Sequence, residues 1–294
     1  MSKVDFILIG AMKSGSTTLV DYLRLHPAIH ISRVKEPQFF SRKHKYDLGI
    51  SWYEALFESA TPGQLLGEGS TCYSRWPKYD GVPERILQYN PAVKLIYVMR
   101  HPVDRTYSHF RHSMLKNEIN YQSFNEALEF EAELIDSSKY MMQIERYREV
   151  FPDEQLLLIN FEDLIENKDK TLGRIFDYLG VNKADYSSNE LSSNQAGNVQ
   201  TKNQLIKYLR IIRRLPLIST LVDRLVPPAT RAKIIKKTSQ VLLNSAIGKY
   251  LVKKKVRSVP VMTTEDRKYI LEKCHDDLQK LEDFTKWDLH KWYI

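Results

Sequence analysis

Phe6-Ile-Leu-Ile-Gly-Ala-Met-Lys-Ser-Gly-Ser-Thr-Thr18 reads as a buried strand, a sharp loop and the start of a helix. Phe6 to Ile9 are four consecutive apolar residues, too few to cross a membrane and suited to a central parallel strand covered on both faces. Gly10 and Gly15 permit a tight turn with close backbone approach. Ser16, Thr17 and Thr18 bring hydroxyls, and the backbone N–H groups where the next helix begins have no partner within that helix. Such a helix start attracts anions.

The Gly-x4-Gly spacing is that of a nucleotide triphosphatase phosphate loop, but the Lys-Ser/Thr pair expected after the second glycine is missing. Ser16 follows Gly15, and the lysine sits inside the loop at Lys13. A second segment, Lys94-Leu-Ile-Tyr-Val-Met-Arg-His-Pro-Val-Asp-Arg-Thr-Tyr-Ser108, reads as another buried strand, Leu95 to Met99, ending in a cation. Arg100 lies at the carboxyl end, where open α/β sheets bind ligands. Pro102 breaks the strand, and Asp104 is placed to cap a helix carrying Arg105, Ser108 and Arg111. Arg100 and Ser108 can then converge on one anion as a guanidinium fork and a hydroxyl. Two anion sites at two strand ends suit a nucleotide phosphorylated at both ends.

The remaining pattern alternates strands with helices, which indicates an α/β protein with a mainly parallel sheet. Strand or extended readings fall on Ile29 to Ser32, Gln64 to Gly69 and Gln155 to Asn160. Helical readings fall on Asp21 to His26, Pro83 to Tyr89, Phe124 to Tyr147 and Asp163 to Leu179, the last stopped by Gly180. Ser187 to Asn203 is rich in Ser, Asn and Gln and reads either as a loop over a nucleotide or as a plain linker.

The chain has 294 residues, 43% hydrophobic and 27% charged, which is enough for a sizeable core and ordinary for a soluble globular domain. No apolar run approaches the ~20 residues of a membrane span. Met-Ser-Lys-Val-Asp leads straight into the first strand, leaving no room for a signal peptide, so the expected address is cytoplasmic. Cys72 and Cys274 are the two cysteines, too few for a disulfide framework or a thiolate zinc site. His26, His30, His109 and His112 show no metal-ligand spacing, and no metal is expected.

Charge is uneven. Residues 205–258 carry 14 Lys plus Arg against one acid, Asp223, a local +13 that leaves the rest of the chain at −5 within the total of +8. Pro216 and Pro227-Pro228 break this stretch into helical pieces. They read either as packing helices with solvated basic faces or as a surface for an acidic glycan, an anionic membrane or a partner.

At its two anion motifs the chain resembles the sulfotransferases that use 3′-phosphoadenosine 5′-phosphosulfate (PAPS). Gly10-Ala-Met-Lys-Ser-Gly-Ser-Thr-Thr18 is similar to their 5′-phosphosulfate loop, and Arg100-His-Pro-Val-Asp-Arg-Thr-Tyr-Ser108 to their 3′-phosphate element, 90 residues later. Lys35-Glu-Pro-Gln-Phe-Phe40 and Trp52-Tyr-Glu-Ala-Leu-Phe57 point to the heparan-sulfate-type and bacterial branch. The likeness runs over residues 4–203, with a weaker echo at Leu278 to Trp292.

The resemblance implies a P-loop-like, three-layer α/β fold with added C-terminal helices, in one domain over 1–294 with 205–258 as a basic insertion or lid. It implies PAPS as donor, with the backbone and hydroxyls of Gly10, Ser14, Gly15, Ser16, Thr17 and Thr18 around the 5′ end. Lys13 would stabilise the leaving phosphate, Arg100 and Ser108 would hold the 3′-phosphate, and Thr201 and Lys202 match loosely the late loop that closes over the nucleotide. Glu36 takes the position of a catalytic glutamate and would serve as base; the other reading has it pair with Lys35 or an arginine and merely hold the loop. Lys35 reads as an acceptor contact that aids Lys13 or as a surface charge, and Phe39 as an acceptor contact that with Phe40 walls the site against water. Glu68, Ser70, Thr71 and Tyr73 end a strand near the ligand edge and either bind the acceptor or hold that edge. His101 reads as structural, and Trp287 to Trp292 as a cap on the core.

The acceptor implied is a hydroxyl or amine of a glycan or small molecule, and no nucleic-acid partner is expected. The rival readings are a P-loop kinase and a non-catalytic module that binds membranes or acidic glycans through 205–258.

Overall fold

In the computed structural model the described residues are 3–186 and 259–294. Thr201, Lys202, the 187–203 segment and the basic 205–258 stretch therefore lie outside them. Five strands form one sheet: β1 (Phe6–Gly10), β2 (Ile29–Ile31), β3 (Leu65–Gly69), β4 (Lys94–Met99) and β5 (Leu156–Asn160). They lie in the order β2-β3-β1-β4-β5 and every pairing is parallel.

The apolar runs of β1 and β4 divide by parity between two cores, as strands covered on both faces require. Phe6 and Leu8 of β1 join Ile96 and Val98 of β4 on one face. Ile7 and Ile9 join Leu95, Tyr97 and Met99 on the other. Helices α1 (Ser16–Leu23) and α5 (Lys168–Leu179) supply Leu19, Leu23, Ile175 and Phe176 to the first core. Helices α2 (Val82–Tyr89), α3 (Pro102–Lys116), α4 (Tyr140–Arg148) and α6 (Thr264–Thr285) supply Ile86, Phe110, Ile144 and Leu278 to the second. The result is a three-layer, P-loop-like α/β fold. Trp292, buried at 3% exposure, lies on Tyr140 with ring centroids 5.8 Å apart.

Some boundaries depart from the sequence reading. His101, not Asp104, caps α3: its Nδ1 accepts the Val103 N–H at 3.2 Å, while Asp104 lies in the first turn and pairs with Arg100 at 3.3 Å. The span Asp163–Leu179 breaks at Asn167 into Phe161–Glu166 and α5, the latter ending at left-handed Gly180. The span Phe124–Tyr147 breaks into Phe124–Phe130, Glu133–Asp136 and α4.

That second break has a use. Arg105 on α3 is fully buried, and its guanidinium donates to the Leu134 carbonyl and Ser138 Oγ, both in the interrupted region. It also reaches the Met12 carbonyl at 3.5 Å, so one planar fork ties the loop after β1 to two helical elements. Continuous helix would have consumed the Leu134 carbonyl.

Two substitutions test this packing. Arg105→Lys keeps the buried charge but loses the fork, and is expected to lower stability by about 2–4 kcal/mol, read from denaturant midpoints. An unchanged midpoint would refute the role given to the fork. In Gly67→Ala the new Cβ would stand 2.0 Å from the ring of Phe6, itself fully buried. Overpacking of this kind is expected to remove about 1–3 kcal/mol and to lower the melting temperature accordingly.

Candidate functional site

β1 and β4 are neighbours, so the loop after Gly10 and the turn at Arg100 leave the same sheet edge side by side. The loop turns into α1 at Gly15, left-handed at φ 80, where an added Cβ would stand 2.5 Å from the Phe161 ring. No side chain caps α1 and its first turn holds no acid, so its N–H groups and dipole face the cleft uncompensated. Lys13 is also left-handed, at φ 74, a conformation that disfavours a branched Cα and is held here by the loop around it.

The electrostatics of Lys13 are telling. Burial first, then the charges of Lys116, Arg100 and Lys35, hold its ammonium below the usual lysine range, with Glu36 acting the other way. Cations gathered this closely favour an anion between them. Lys13, Ser16, Thr17 and Thr18 border one cleft of about 1110 Å³, and Arg100 and Ser108 border it too. The Arg100 guanidinium lies over the Phe161 ring at 5.2 Å, and Tyr140 OH donates to its carbonyl at 2.5 Å.

The second wall carries Lys35 and Glu36. Lys35 Nζ donates to Thr17 Oγ1 at 2.9 Å, linking this wall to the start of α1. Glu36 is left-handed at φ 54; its Oε1 accepts from Thr71 Oγ1 at 3.2 Å and its Oε2 from Gln38 Nε2 at 3.4 Å. Neither contact is an ion pair, so the alternative in which Glu36 pairs with Lys35 or an arginine finds no support among the described residues.

Other expectations are corrected. Gly10 is packed between Ser74 and Tyr97, where a Cβ would meet Ser74 Oγ at 1.9 Å, so its bare Cα serves the core. Ser14 is fully buried and its N–H is used within the loop, donating to Ala11 O at 3.2 Å. Neither borders the cleft. Phe39 is stacked on Tyr53 at 4.7 Å, 1% exposed, and so cannot touch an acceptor. Glu68, Ser70 and Tyr73 are buried at 2% exposure or less, and their polar atoms engage one another. For Glu68, Ser70 and Tyr73 the structure has the reading that holds the sheet edge, while Thr71 borders the cleft and donates to Glu36. His101 has the structural role read from the sequence, as the cap described above, and burial holds its imidazole below the usual range.

Several cleft residues were not singled out from the sequence. Ser108, His112 and Lys116 fall at successive intervals of four on α3, so the stripe that presents Ser108 presents all three. Burial, then Lys116 and Lys13, push His112 down to about 4, leaving it neutral at physiological pH. That spacing was available in the sequence. Arg42, Arg75 and Lys78 also line the cleft, together with Glu131 and Glu133. Arg75 and Lys78 both pair with Glu133, at 2.7 and 2.6 Å, while Arg42 lies over the Tyr79 ring at 4.7 Å. Their sequence positions give no hint of convergence. Among the described residues no three His, Cys, Asp or Glu side chains gather as a metal site would require.

Residues 3–212 match the family described as the sulfotransferase domain. Heparan sulfate glucosamine 3-O-sulfotransferase 3B1 of Homo sapiens is 34% identical over 187 residues, 60% of this chain and 46% of that protein. Heparan sulfate glucosamine 3-O-sulfotransferase 6 of Mus musculus is 30% identical over 186 residues, 60% of this chain and 52% of that one. The chain thus spans about half the length of these curated relatives. Among solved structures, a sulfotransferase from Alicyclobacillus acidocaldarius aligns over 100% of both chains with a TM-score of 0.65 at 21% identity, a likeness of fold. With most of its length matched, the chain belongs to the sulfotransferase-domain family.

Proposed function

We propose that this protein transfers a sulfuryl group from PAPS to a hydroxyl or amine of a glycan or small-molecule acceptor. The observation that carries the reading is the meeting, in one cleft, of the uncapped α1 start with Lys13, the Arg100–Ser108 pair, and Glu36 on the facing wall. Two anion positions on adjacent strands match a donor with phosphate at both its 5′ and 3′ ends. A triphosphate kinase reading lacks the lysine after Gly15.

The acceptor atom forms a bond to sulfur as the bond from sulfur to the bridging oxygen breaks, and that electron pair leaves on the 5′-phosphate. Phosphate needs no proton to leave, so a fixed cation suffices, and Lys13 fills that role. Glu36 takes the proton from the acceptor. Its Thr71 and Gln38 contacts aim the carboxylate without neutralising it. Arg42, which makes no ion pair among the described residues, with Arg75 and Lys78, whose two charges share the single Glu133, favours an acceptor that bears an anionic group. The relatives named for heparan sulfate support a glycan of that kind.

Calorimetric titration with 3′-phosphoadenosine 5′-phosphate, beside AMP and ATP and without metal, tests the donor site. Binding is expected to depend on the 3′-phosphate and to weaken roughly a hundredfold in Arg100→Ala, the loss of a charge-assisted contact. Equal affinity for AMP would sink the reading. With PAPS and heparan sulfate, Lys13→Ala is expected to lower turnover about 10²–10³-fold and Glu36→Gln about 10²–10⁴-fold. Full turnover in Glu36→Gln would remove it as the base.

A further inference from the structure

The mechanism leaves Glu68 unused. This carboxyl is fully buried, and among the described residues no lysine or arginine pairs with it. Burying a charge without a counter-ion is strongly unfavourable unless hydrogen bonds replace the lost water. Three hydroxyls do so: Tyr53 at 3.1 Å and Tyr73 at 2.7 Å donate to Oε1, and Ser70 at 2.7 Å donates to Oε2.

Two of those hydroxyls face a second way. Ser70 Oγ accepts the Gln38 N–H at 3.0 Å, and Tyr73 OH accepts the Phe40 N–H at 3.3 Å. Both amides belong to the segment that begins at Glu36. That segment is left-handed at Glu36 (φ 54) and at Gln38 (φ 58), so it requires outside support to hold its shape. A hydroxyl has one proton. While the carboxylate holds it, the lone pairs point to the backbone.

We propose that Glu68 is a positioning residue for the Glu36 segment, orienting the Ser70 and Tyr73 hydroxyls so that each receives one of its backbone N–H groups. Its relevance to turnover rests on the reading of Glu36 as base. The orientation depends on charge. A protonated Glu68 has Oε1 already accepting from two tyrosines, so its proton sits on Oε2 and points at Ser70. Ser70 Oγ then accepts from Glu68 as well as from Gln38, its own proton loses the carboxylate as acceptor, and the charge that polarised the Gln38 bond is gone, so that bond weakens.

Burial raises Glu68 to about 7, against the opposing hydrogen bonds from Ser70, Tyr73 and Tyr53, with Glu36 adding a like charge. The other titratable groups around it are Tyr53 and Tyr73, Cys72 on the loop after β3, and Tyr147 on α4. Burial pushes all four up, so they keep their protons at neutral pH. With its folded value above its unfolded one, Glu68 favours the folded state at low pH, and that contribution is lost as pH rises from the ordinary glutamate range through about 7. Local order at Gln38 follows the opposite sign, increasing across the same midpoint as the carboxylate forms.

Residue-resolved amide hydrogen exchange, corrected for intrinsic rates and followed from about pH 5.5 to about pH 8.5, tests the proposal. In the native protein, protection at Gln38 should rise about tenfold through the Glu68 midpoint. In Glu68→Gln the amide nitrogen faces Ser70 at every pH, so Gln38 should stay at the low level while Phe40 keeps its protection. In Tyr73→Phe the pattern should reverse, with Phe40 losing protection and Gln38 keeping it. Leu8 and Ile96 in the central strands report global folding.

Unchanged Gln38 protection in Glu68→Gln would overturn the proposal, as would an equal loss at Leu8 and Ile96. Glu36→Gln separates the two readings: retained sulfuryl transfer in that variant refutes the base, while the Gln38 and Phe40 exchange decides the role of Glu68.

Discussion

β1 hydrogen-bonds in parallel to β3 on one side and β4 on the other, and this pairing fixes where each loop of the cleft begins. Parallel strands all end at the same edge, so the Lys13 loop, the Ser70–Tyr79 loop and the turn at Arg100 must emerge together. The register is locked by burial on both faces. A one-residue slip of β1 would exchange Phe6 and Leu8 with Ile7 and Ile9, disrupting two cores at once. The position of Arg100 relative to Lys13 is thus inherited from apolar side chains that touch no ligand.

The strands were legible because their signal is local: short apolar runs punctuated by Gly, Pro or a charge. The Lys13 loop was legible for the same reason, since its glycines and hydroxyls lie within one turn of chain. Glu68, Ser70 and Tyr73 were not. Nothing in Gly67-Glu-Gly-Ser-Thr71 says that Tyr53 from a separate helix, and the backbone of 38–40, close over that carboxylate. The pattern marked an edge residue, and tertiary packing sealed it. The long helical readings failed where isolated polar positions served a distant partner, as Ser138 serves Arg105. His112 and Lys116 stood in plain view at helical spacing from Ser108, yet helical spacing alone does not say which stripe faces a ligand.

Charge is arranged in two ways, in this cleft and just behind its wall. Lys13 is surrounded by cations that disfavour its own protonated form, and Glu68 is a carboxyl sealed among hydroxyls. Both are unfavourable for the isolated fold, and both lie beside the segments that define the cleft. The sheet and its two apolar cores supply the rigidity that keeps such arrangements from relaxing.

Helix α3 gives the cleft a length as well as a wall. Ser108 and Lys116 stand eight residues apart on one continuous helix, so the rise of 1.5 Å per residue separates them by about 12 Å along its axis. The distance belongs to the backbone and does not adjust to what is bound. A single inserted residue between them would turn Lys116 by roughly 100° out of the stripe. The helix is therefore a measuring rod with its zero at the sheet edge, and the span of a molecule reaching both marks is set by hydrogen-bond pitch.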